Sequence, residues 1–188
     1  EPGSEWDTRV LRTAGSRIDF VIPHIYIPRY GDNNGRPDAK SLFSIGLAGS
    51  VGIPLLVARW QEEVKLHTGS DRMPFAVTEF NGSFVQDRPV PYRFSLGNAL
   101  VAAEHLRIYL REPSILLAAY WNFANEYWGM VKGMEEPYTQ RPAYWVFWLY
   151  RNYFGDTLID VTVDCPAYDS PGGFGTMAAF GKPTRYQV

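Results

Sequence analysis

The chain has 188 residues, a formal net charge of −2, 46% hydrophobic and 20% charged residues, a composition typical of globular and not of disordered proteins. Its 18 Lys and Arg residues are scattered, which argues against nucleic-acid binding, and no apolar run approaches the roughly 20 residues that span a bilayer. The single cysteine, Cys165, excludes an internal disulfide and leaves open whether this soluble protein is secreted or cytoplasmic.

Aromatic residues make up 15% of the chain, with 6 Trp and 12 Tyr. Flat amphipathic rings suit crowded cores and the faces of sugars equally, so this composition suggests a carbohydrate ligand without showing one. The first five residues contain neither an initiator Met nor a signal-peptide pattern. This start could be a mature terminus, or the chain could begin partway through a larger gene product, and the rest of the sequence favours the second.

The first predicted elements are a helix and a strand. Residues 6–14 have the pattern of a helix end, with Gly15 as its stop. Because Pro23 cannot donate to a ladder, we expect the next strand to end near residue 22 or 23. A strand places five alternating side chains on one face: Ile18, Phe20, Ile22, His24 and Tyr26. His24 and Tyr26 are then candidate site residues at the strand end, with rings packed against backbone groups as the alternative.

Two helices are predicted after a long loop. The loop covers residues 29–41, and such a length is uncommon unless the loop builds a site. The helices cover residues 39–48 and 54–67, the second with Pro54 in its first turn and Gly69 as its stop. We expect His67 to be a surface residue and not a ligand.

The stretch around Glu79 carries the main functional signal. Residues 75–77 are predicted to form a buried strand that Asn81 and Gly82 end as a turn. Burying an ionised Glu costs several kcal/mol unless it is paired or hydrogen-bonded. Ligands bind at the carboxyl ends of parallel strands, which makes Glu79 a candidate nucleophile or general base. An ion pair with an Arg, or a helix cap, is the structural alternative.

Residues 82–93 are predicted to be a second long loop, and a helix, a strand and a helix follow it. The first helix has one apolar stripe, and we expect Glu104 and His105 within it to be structural or solvent-facing. Residues 115–121 are apolar on both faces, as in a strand covered on both sides. Residues 142–153 are predicted to be an aromatic-rich helix. The stripe consists of Leu96, Ala99, Leu100, Ala103, Leu106 and Leu110.

The pattern changes after Gly155. Residues 158–165 alternate apolar and polar side chains, as in an antiparallel sheet with one wet face; residues 170–175 are predicted to be a turn, and residues 177–180 another strand. A (β/α)8 barrel takes about 250 residues, and three parallel strands cannot close one. We therefore expect an α/β fold, with residues 1–154 as the last three β/α units of a TIM barrel and residues 155–188 as the beginning of an antiparallel β-sandwich domain.

Several segments resemble retaining glycoside hydrolases of the large clan whose catalytic carboxylates follow strands four and seven. The segment 18–26, Thr78-Glu79-Phe80-Asn81, and the strand that enters Trp121-Asn122 resemble strands six, seven and eight of those enzymes. The chain is most similar to α-L-arabinofuranosidases of the family 51 type. The sequence 141–144 (Arg-Pro-Ala-Tyr), followed by Gly155, is similar to their junction with a C-terminal β-sandwich.

The resemblance implies roles for individual residues. Glu79 matches the catalytic nucleophile, and Tyr26 matches an aromatic hydroxyl that hydrogen-bonds the nucleophile and sets its charge. His24 supports that site. Three further residues are expected to contact the carbohydrate substrate: Asn81, Asn122 and its neighbour Trp121. The resemblance implies neither a metal nor a cofactor.

A retaining mechanism needs a second carboxyl about 5–5.5 Å from the nucleophile. In the enzymes that the chain resembles, it comes from an Asn-Glu pair at the end of strand four, which this sequence does not contain. Asn125-Glu126 has the dipeptide but falls at strand eight, so we expect Glu126 to be a substrate-proximal loop residue. The chain alone is expected to be inactive and to need the N-terminal barrel half, as the same gene product or as a complementary fragment.

Other interpretations stay open at this point. A β-xylosidase or an endo-glycanase of the same clan would have the same motifs, because loops and the other barrel half set the substrate. The parent could also be a carbohydrate-binding barrel without catalysis, or the 188 residues could be a self-sufficient structural protein. No membrane or nucleic-acid partner is expected, and a homo-oligomer is left open.

Overall fold

A parallel three-stranded sheet forms the centre of the computed structural model, which describes residues 3–29, 39–83, 91–133, 135–170 and 184–187. The strands are β1 (His24–Arg29), β2 (Phe75–Ser83) and β3 (Ile115–Tyr120), in the order β1-β2-β3. Helices connect consecutive strands, as parallel neighbours require. The predicted mixed α/β architecture with a parallel sheet is confirmed.

The helices follow the predicted positions closely. Pro54 lies in the first turn of its helix and Gly69 closes the same helix with a left-handed φ of 75°, as their positions predicted. A short 3-10 turn precedes the helix that follows β2. The described residues contain α1 (Glu5–Ala14), α2 (Ala39–Ser50), α3 (Ile53–Thr68), α4 (Leu96–Arg111) and α5 (Pro142–Tyr153).

β1 begins where the sequence predicted a strand end. The ladder with β2 starts at His24, and the preceding stretch contributes only an isolated bridge between Val21 and Phe75. Pro23 does interrupt the pairing, because it has no N–H to donate, but the strand lies after it and not before it. His24 and Tyr26 are therefore inside β1.

β2 is longer than predicted. It continues to Ser83, so that Asn81 and Gly82 are strand residues and not a turn, and Glu79 lies in the middle of the strand. The side-chain oxygen of Asn81 accepts a hydrogen bond from the N–H of Gly82 (2.8 Å), which satisfies a backbone donor within the strand itself. The central position of β2, paired on both edges, keeps it extended over this polar stretch.

β3 was predicted to be covered on both faces, and this is wrong for the described residues. Leu116 is 60% exposed and Leu117 is 47% exposed, whereas Ile115 and Ala118 pack against the core. Within the part of the chain that the structure describes, β3 pairs only with β2, so that it is an edge strand. β3 therefore exposes apolar side chains beside an edge that has no partner strand among the described residues.

The buried face of α4 also differs from the predicted stripe. Two residues of the predicted stripe do pack in the core, Ala99 and Leu106. Its other leucines are exposed: Leu96, Leu100 and Leu110. His105 is only 1% exposed, which fits the structural alternative predicted for it and excludes the solvent-facing one. The buried residues of α4 are Asn98, Ala99, Val101, Ala102, His105, Ile108 and Tyr109.

Phe80 occupies the centre of the core between the sheet and the helices. Its ring is fully buried and lies 5.1 Å from the ring of Tyr109 and 6.4 Å from that of Phe147, centroid to centroid. The rings of Tyr120 and His105 lie 5.6 and 5.9 Å away. These contacts fix β2 against α4 and α5 at the residue next to Glu79.

His67 lies at the contact between α1 and α3, with a side chain that is mostly buried. Its Nδ1 accepts from Arg12 Nε (3.3 Å), and its Nε2 lies 3.2 Å from a carboxylate oxygen of Glu63. The predicted surface position of His67 is therefore wrong, and the ring joins two helices.

The C-terminal region contains antiparallel pairs but not the predicted strand over residues 158–165, which is exposed and has no ladder partner among the described residues. The pairs are β4 (Val131–Lys132) with β5 (Thr139–Gln140), and β6 (Ala167–Ser170) with β7 (Thr184–Gln187). The predicted strand at 177–180, the turn at 170–175 from residue 171 onward, and most of the two long loops lie outside the described residues.

No single helix in the described ranges is long and apolar enough to cross a membrane. The consecutive helices α2 and α3, which are bent by 46° relative to each other, meet the length and composition criteria only as a pair.

Candidate active site

Three polar side chains that were predicted to be functional meet on β1 and β2. His24 is in register with Glu79 across the parallel pair, and Tyr26 is in register with Asn81 two residues further along. The Tyr26 hydroxyl donates to Oε2 of Glu79, and His24 Nδ1 lies 3.3 Å from the same oxygen. The sheet thus brings together one carboxylate and two ring donors that are more than 50 residues away from it in sequence.

The two oxygens of the Glu79 carboxylate have different environments. Oε2 receives both ring donors, whereas Oε1 has no hydrogen-bond partner among the described residues. The Glu79 side chain is 24% exposed, so that a molecule from solvent can reach it. A carboxylate with one oxygen held and one oxygen free has the geometry of a nucleophile or a general base.

The Tyr26 hydroxyl stays protonated well beyond neutral pH. Burial raises the pKa of Tyr26, and the hydrogen bond to Glu79 and the negative charge of that carboxylate raise it further. Tyr26 therefore acts as a hydrogen-bond donor to Glu79 and not as a base.

His24 contacts two consecutive residues of β2. Its Nε2 lies 3.1 Å from the hydroxyl oxygen of Thr78, and its Nδ1 faces Glu79. The ring is about half exposed. Thr78 was not identified as a site residue from the sequence, because neighbouring side chains in a regular strand point to opposite faces.

Asn81 is brought close to Glu79 in the strand but is only 3% exposed. Its side-chain nitrogen donates to the carbonyl of Trp121 (2.6 Å), and its side-chain oxygen accepts from Gly82 N and from Asn98 Nδ2 (3.3 Å). This geometry favours a structural bridge between β2 and the end of β3 over a direct contact with a ligand.

Tyr120 lies at the same bridge, at the end of β3. Burial raises the pKa of Tyr120 to about 12, and hydrogen bonds with Asn81 and Asn98 and the charge of Arg141 oppose the increase. The phenol is therefore neutral at physiological pH and contributes to an uncharged polar network beneath the carboxylate.

Trp121 and Asn122 follow β3 directly and are joined by a cis peptide bond. The Trp121 N–H donates to the carbonyl of Phe80 (3.0 Å), which extends the β2 pairing by one residue, and the indole is exposed. The side-chain oxygen of Asn122 is buried and has no hydrogen-bond partner within the described residues. Trp121 is thus joined to β2, whereas the predicted contact of Trp121 and Asn122 with a substrate stays a prediction.

Residues 125–129 form a turn with an unusual concentration of hydrogen bonds. The side-chain oxygen of Asn125 accepts from the N–H groups of Tyr127 (2.9 Å), Trp128 (2.5 Å) and Gly129 (2.8 Å). A Cβ on Gly129 would lie 2.2 Å from the backbone N of Asn125, so that only glycine fits. Asn125 is thus a structural residue, and Glu126 next to it is exposed.

Arg141 holds the other side of the same turn. The buried guanidinium donates to the carbonyl oxygens of Gly129 (2.6 Å), Glu126 (2.8 Å) and Asn125 (3.2 Å) and lies 3.6 Å from the ring centroid of Phe94. Burial lowers the pKa of Arg141, and the charge of Glu126 opposes this. We refer to residues 125–129 with Arg141 as the arginine-held turn.

Arg93 lies in the 3-10 turn between β2 and α4 and contacts the arginine-held turn. Its Nε donates to the carbonyl of Tyr127 (2.7 Å), and the guanidinium lies 3.6 Å from the ring centroid of Tyr127. Sequence reasoning missed both arginines, because their partners are backbone carbonyls that carry no sequence signal. The one available hint was Arg141 immediately before the proline that starts α5.

In the described ranges, no group of three or more His, Cys, Asp and Glu side chains could hold a metal ion.

Comparison with solved structures identifies the fold. The chain is similar to a thermostable GH51 α-L-arabinofuranosidase from Thermotoga petrophila RKU-1, with a TM-score of 0.69 and 18% identity over 97% of this chain. It is similar to the α-L-arabinofuranosidase of Thermotoga maritima in its arabinose complex, with a TM-score of 0.67 and 18% identity over 96% of this chain. For the GH51 arabinofuranosidase of Xanthomonas axonopodis pv. citri the TM-score is 0.63, with 19% identity over 81% of this chain.

The chain spans about a third of the length of these proteins: 36%, 35% and 33%, in the same order. A scan against models of protein families finds no match, and neither does a search of curated protein sequences. At such low identity the comparison establishes the fold, and it confirms that the resemblance predicted from the sequence holds for most of this chain and for one part of the larger proteins.

Proposed function

We propose that this chain supplies the nucleophile of a retaining glycoside hydrolase. The observation that carries the proposal is the Glu79 carboxylate, whose Oε2 contacts Tyr26 and His24 and whose Oε1 has no hydrogen-bond partner in the described part of the chain. The similarity of the fold to GH51 α-L-arabinofuranosidases supports the same conclusion. Arrangement and fold agree, although the fold alone does not determine chemistry.

In the proposed mechanism Oε1 of Glu79 attacks the anomeric carbon and forms a covalent glycosyl-enzyme. The hydrogen bonds from Tyr26 and His24 keep the carboxylate oriented and charged before the attack. A second carboxyl protonates the leaving oxygen and then removes a proton from the water that releases the sugar. That group is required about 5 Å from the nucleophile in a retaining enzyme, and we propose that it comes from the other half of the barrel.

Residues 1–154 are proposed to be the last three β/α units of a TIM barrel, and residues 155–188 the first strands of a β-sandwich. The unpaired edge of β3, with Leu116 and Leu117 exposed beside it, supports a further strand on that side. The N-terminal barrel half is the proposed occupant, and it would provide both the missing pairing and the acid/base carboxyl.

For the substrate, we propose terminal α-L-arabinofuranosyl groups on plant-type polysaccharides, because the similar structures are arabinofuranosidases. Trp121, which is exposed, and Asn122, whose buried side-chain oxygen has no donor in the described residues, are the proposed sugar contacts at the end of β3. Glu126 is proposed to lie at the periphery of the site. Asn81 is proposed to support the site as a structural bridge between β2 and the end of β3.

The proposal is tested in the full-length protein with aryl α-L-arabinofuranoside and aryl β-xyloside. Glu79→Gln keeps the shape of the side chain and removes the nucleophile, so we expect turnover to fall by several orders of magnitude with an unchanged melting temperature. Glu62→Gln, an exposed position on α3, is the matched control and should be fully active. A 2-fluoro sugar that traps the glycosyl-enzyme should label the peptide that contains Glu79.

Two results decide against the proposal. Full activity of Glu79→Gln would exclude Glu79 as the nucleophile. An inverted anomeric configuration in the first product would exclude a covalent intermediate. If the arabinoside is inert and the xyloside is cleaved, the site assignment stands and the substrate assignment changes to a β-xylosidase.

A further inference from the structure

A register shift of the kind that a β-bulge produces lies at the candidate nucleophile, and a shift in the opposite sense lies between Phe75 and Ala76. β2 advances three residues from Val77 to Phe80, while its partner β3 advances two residues from Ala118 to Tyr120. One extra residue is therefore accommodated on β2 between these pairs, at Thr78 and Glu79. Bulges change the direction of side chains and occur frequently beside active sites.

The bulge brings two neighbouring side chains to one ring. In a regular strand, the neighbouring side chains of Thr78 and Glu79 would point to opposite sides of the sheet. Both instead contact His24: Thr78 Oγ1 lies 3.1 Å from Nε2, and Glu79 Oε2 lies 3.3 Å from Nδ1. Thr78 and Glu79 are partly exposed, whereas the three residues before them and the three residues after them in β2 are buried. This pattern fits a local change of direction.

The chemistry of the two partners differs. An ionised carboxylate can only accept, so that a hydrogen bond between His24 and Glu79 requires a proton on Nδ1. In the neutral ring Nε2 then has a lone pair, and the Thr78 hydroxyl is a group that can donate to it. A hydrogen bond at one ring nitrogen thereby determines whether the other ring nitrogen carries the proton.

We propose that Thr78 is a positioning residue, which donates to Nε2 of His24 and so holds the ring in the Nδ1–H tautomer that donates to Glu79. The hydroxyl also fixes the ring against rotation about its bond to Cβ, which matters because about half of the ring is open to solvent. Thr78 makes no contact with the reacting atoms in this scheme. It acts on the nucleophile only through His24.

The kinetic consequence of this inference rests on the proposed function, whereas the tautomer does not. In the full-length protein with 15N-labelled histidine, the His24 signals are assigned by their loss in His24→Gln. We expect the neutral ring to show a protonated Nδ1 and an unprotonated Nε2. Thr78→Val, which keeps the branched shape and removes the hydroxyl, should give a mixture of tautomers, and Thr78→Ser should restore the original spectrum.

Kinetics on an aryl glycoside provide the second measurement. Loss of one hydrogen bond that orients the nucleophile should lower kcat by about three- to tenfold in Thr78→Val, with KM little changed. Thr78→Ser should recover activity to within about twofold. Melting temperatures of both variants show whether the strand has been disturbed, since a structural effect would lower stability and leave the tautomer unchanged.

Three outcomes would overturn the inference: a protonated Nε2 in the unmodified protein, an unchanged His24 spectrum in Thr78→Val, or an altered spectrum with unchanged kcat in an enzyme that cleaves glycosides. A protein that cleaves no glycoside but whose His24 tautomer depends on the Thr78 hydroxyl would support the positioning role and refute the proposed function instead.

Discussion

The Tyr26 hydroxyl and the Glu79 carboxylate, 53 residues apart in the chain, are joined by a hydrogen bond across the β1–β2 pair. Tyr26 is not in register with Glu79: His24 lies opposite Glu79 in the ladder, and Tyr26 lies two residues further along β1. This offset lets both rings converge on Oε2 from one side of the carboxylate. The other oxygen, Oε1, has no hydrogen-bond partner among the described residues.

Removal of the Tyr26 hydroxyl tests this contact. We expect Tyr26→Phe in the full-length protein to lower kcat/KM by roughly 10- to 100-fold, because a hydrogen bond to a charged group contributes about 1.5–3 kcal/mol. Steady-state kinetics on an aryl arabinofuranoside measure the loss. Tyr153→Phe, at an exposed position on α5, is the control and should have unmodified activity. Equal rates for the two variants would remove Tyr26 from the site.

The buried ring of His105 predicts a pH dependence of stability. Both ring nitrogens are buried without a hydrogen-bond partner among the described residues, and burial lowers the pKa of His105 to about 3. An unfolded chain has a His pKa of about 6.5, so it binds the proton first as the pH falls. The contribution of His105 to stability is therefore complete above pH 6.5 and is lost between about pH 6.5 and pH 3, at no more than about 1.4 kcal/mol per pH unit.

Denaturant unfolding at pH 7 and pH 5 measures this effect. His105→Leu should reduce the loss of stability between these two pH values by the contribution of one proton, whereas His24→Gln, at a half-exposed ring, should retain it. Identical pH profiles for His105→Leu and the unmodified protein would show that His105 binds a proton equally well in both states. The only titratable side chain in ring contact with His105 is Tyr109, among the contacts of the described residues.

The arginine-held turn should depend on the shape of the guanidinium and not only on its charge. Arg141→Lys keeps the charge but cannot reach three carbonyl oxygens at once, so we expect amide exchange at residues 127–129 to accelerate by at least about tenfold. Hydrogen exchange with mass spectrometry provides the measurement. Arg9→Lys, at an exposed ion pair with Glu5, should change nothing. Unchanged exchange in Arg141→Lys would show that the turn does not depend on the guanidinium of Arg141 and that Asn125 and Arg93 suffice to maintain it.

Phe80 should be one of the most sensitive core positions. Truncation to Ala removes the ring that four aromatic side chains surround, and we expect a loss of about 3–5 kcal/mol in the free energy of unfolding. Phe80→Leu should lose less, because it leaves a smaller cavity. Leu66→Ala, at an exposed position on α3, should stay within about 0.5 kcal/mol of the unmodified protein. A small effect of Phe80→Ala on urea unfolding would contradict the central position assigned to this ring.

Local signals allowed most helices and the type of sheet to be predicted from the sequence. Pro54 and Gly69 delimit α3 through backbone chemistry that needs no tertiary contact, and Pro142 does the same for the start of α5. The convergence of His24, Tyr26 and Glu79 was predicted from a shared strand end, whereas the structure brings these residues together through the register of the start of β1 with the middle of β2. These features depend on neighbours in the chain or on a general rule of topology.

The remaining errors have a shared cause in tertiary contacts. Pro23 marks a strand boundary, but only the pairing with β2 shows on which side the strand lies. The burial of His105 depends on aromatic rings from β2 and α5, which the periodicity of α4 does not contain. The roles of Arg93 and Arg141 depend on carbonyl groups, which every residue has.

The extra residue on β2 reverses the alternation of inward and outward positions between its first and second halves. Phe75 and Val77 pack into the main core cluster from odd positions, whereas Phe80 packs into the same cluster from an even one; Ala76 and Asn81 are buried outside that cluster. A gap-free alignment that continues the alternation of side-chain direction from the first half of the strand into the second would exchange the positions of the threonine and the carboxylate. Searches for distant relatives of this chain should therefore allow a one-residue insertion or deletion immediately before the Glu, where an ungapped motif would miss the true counterpart.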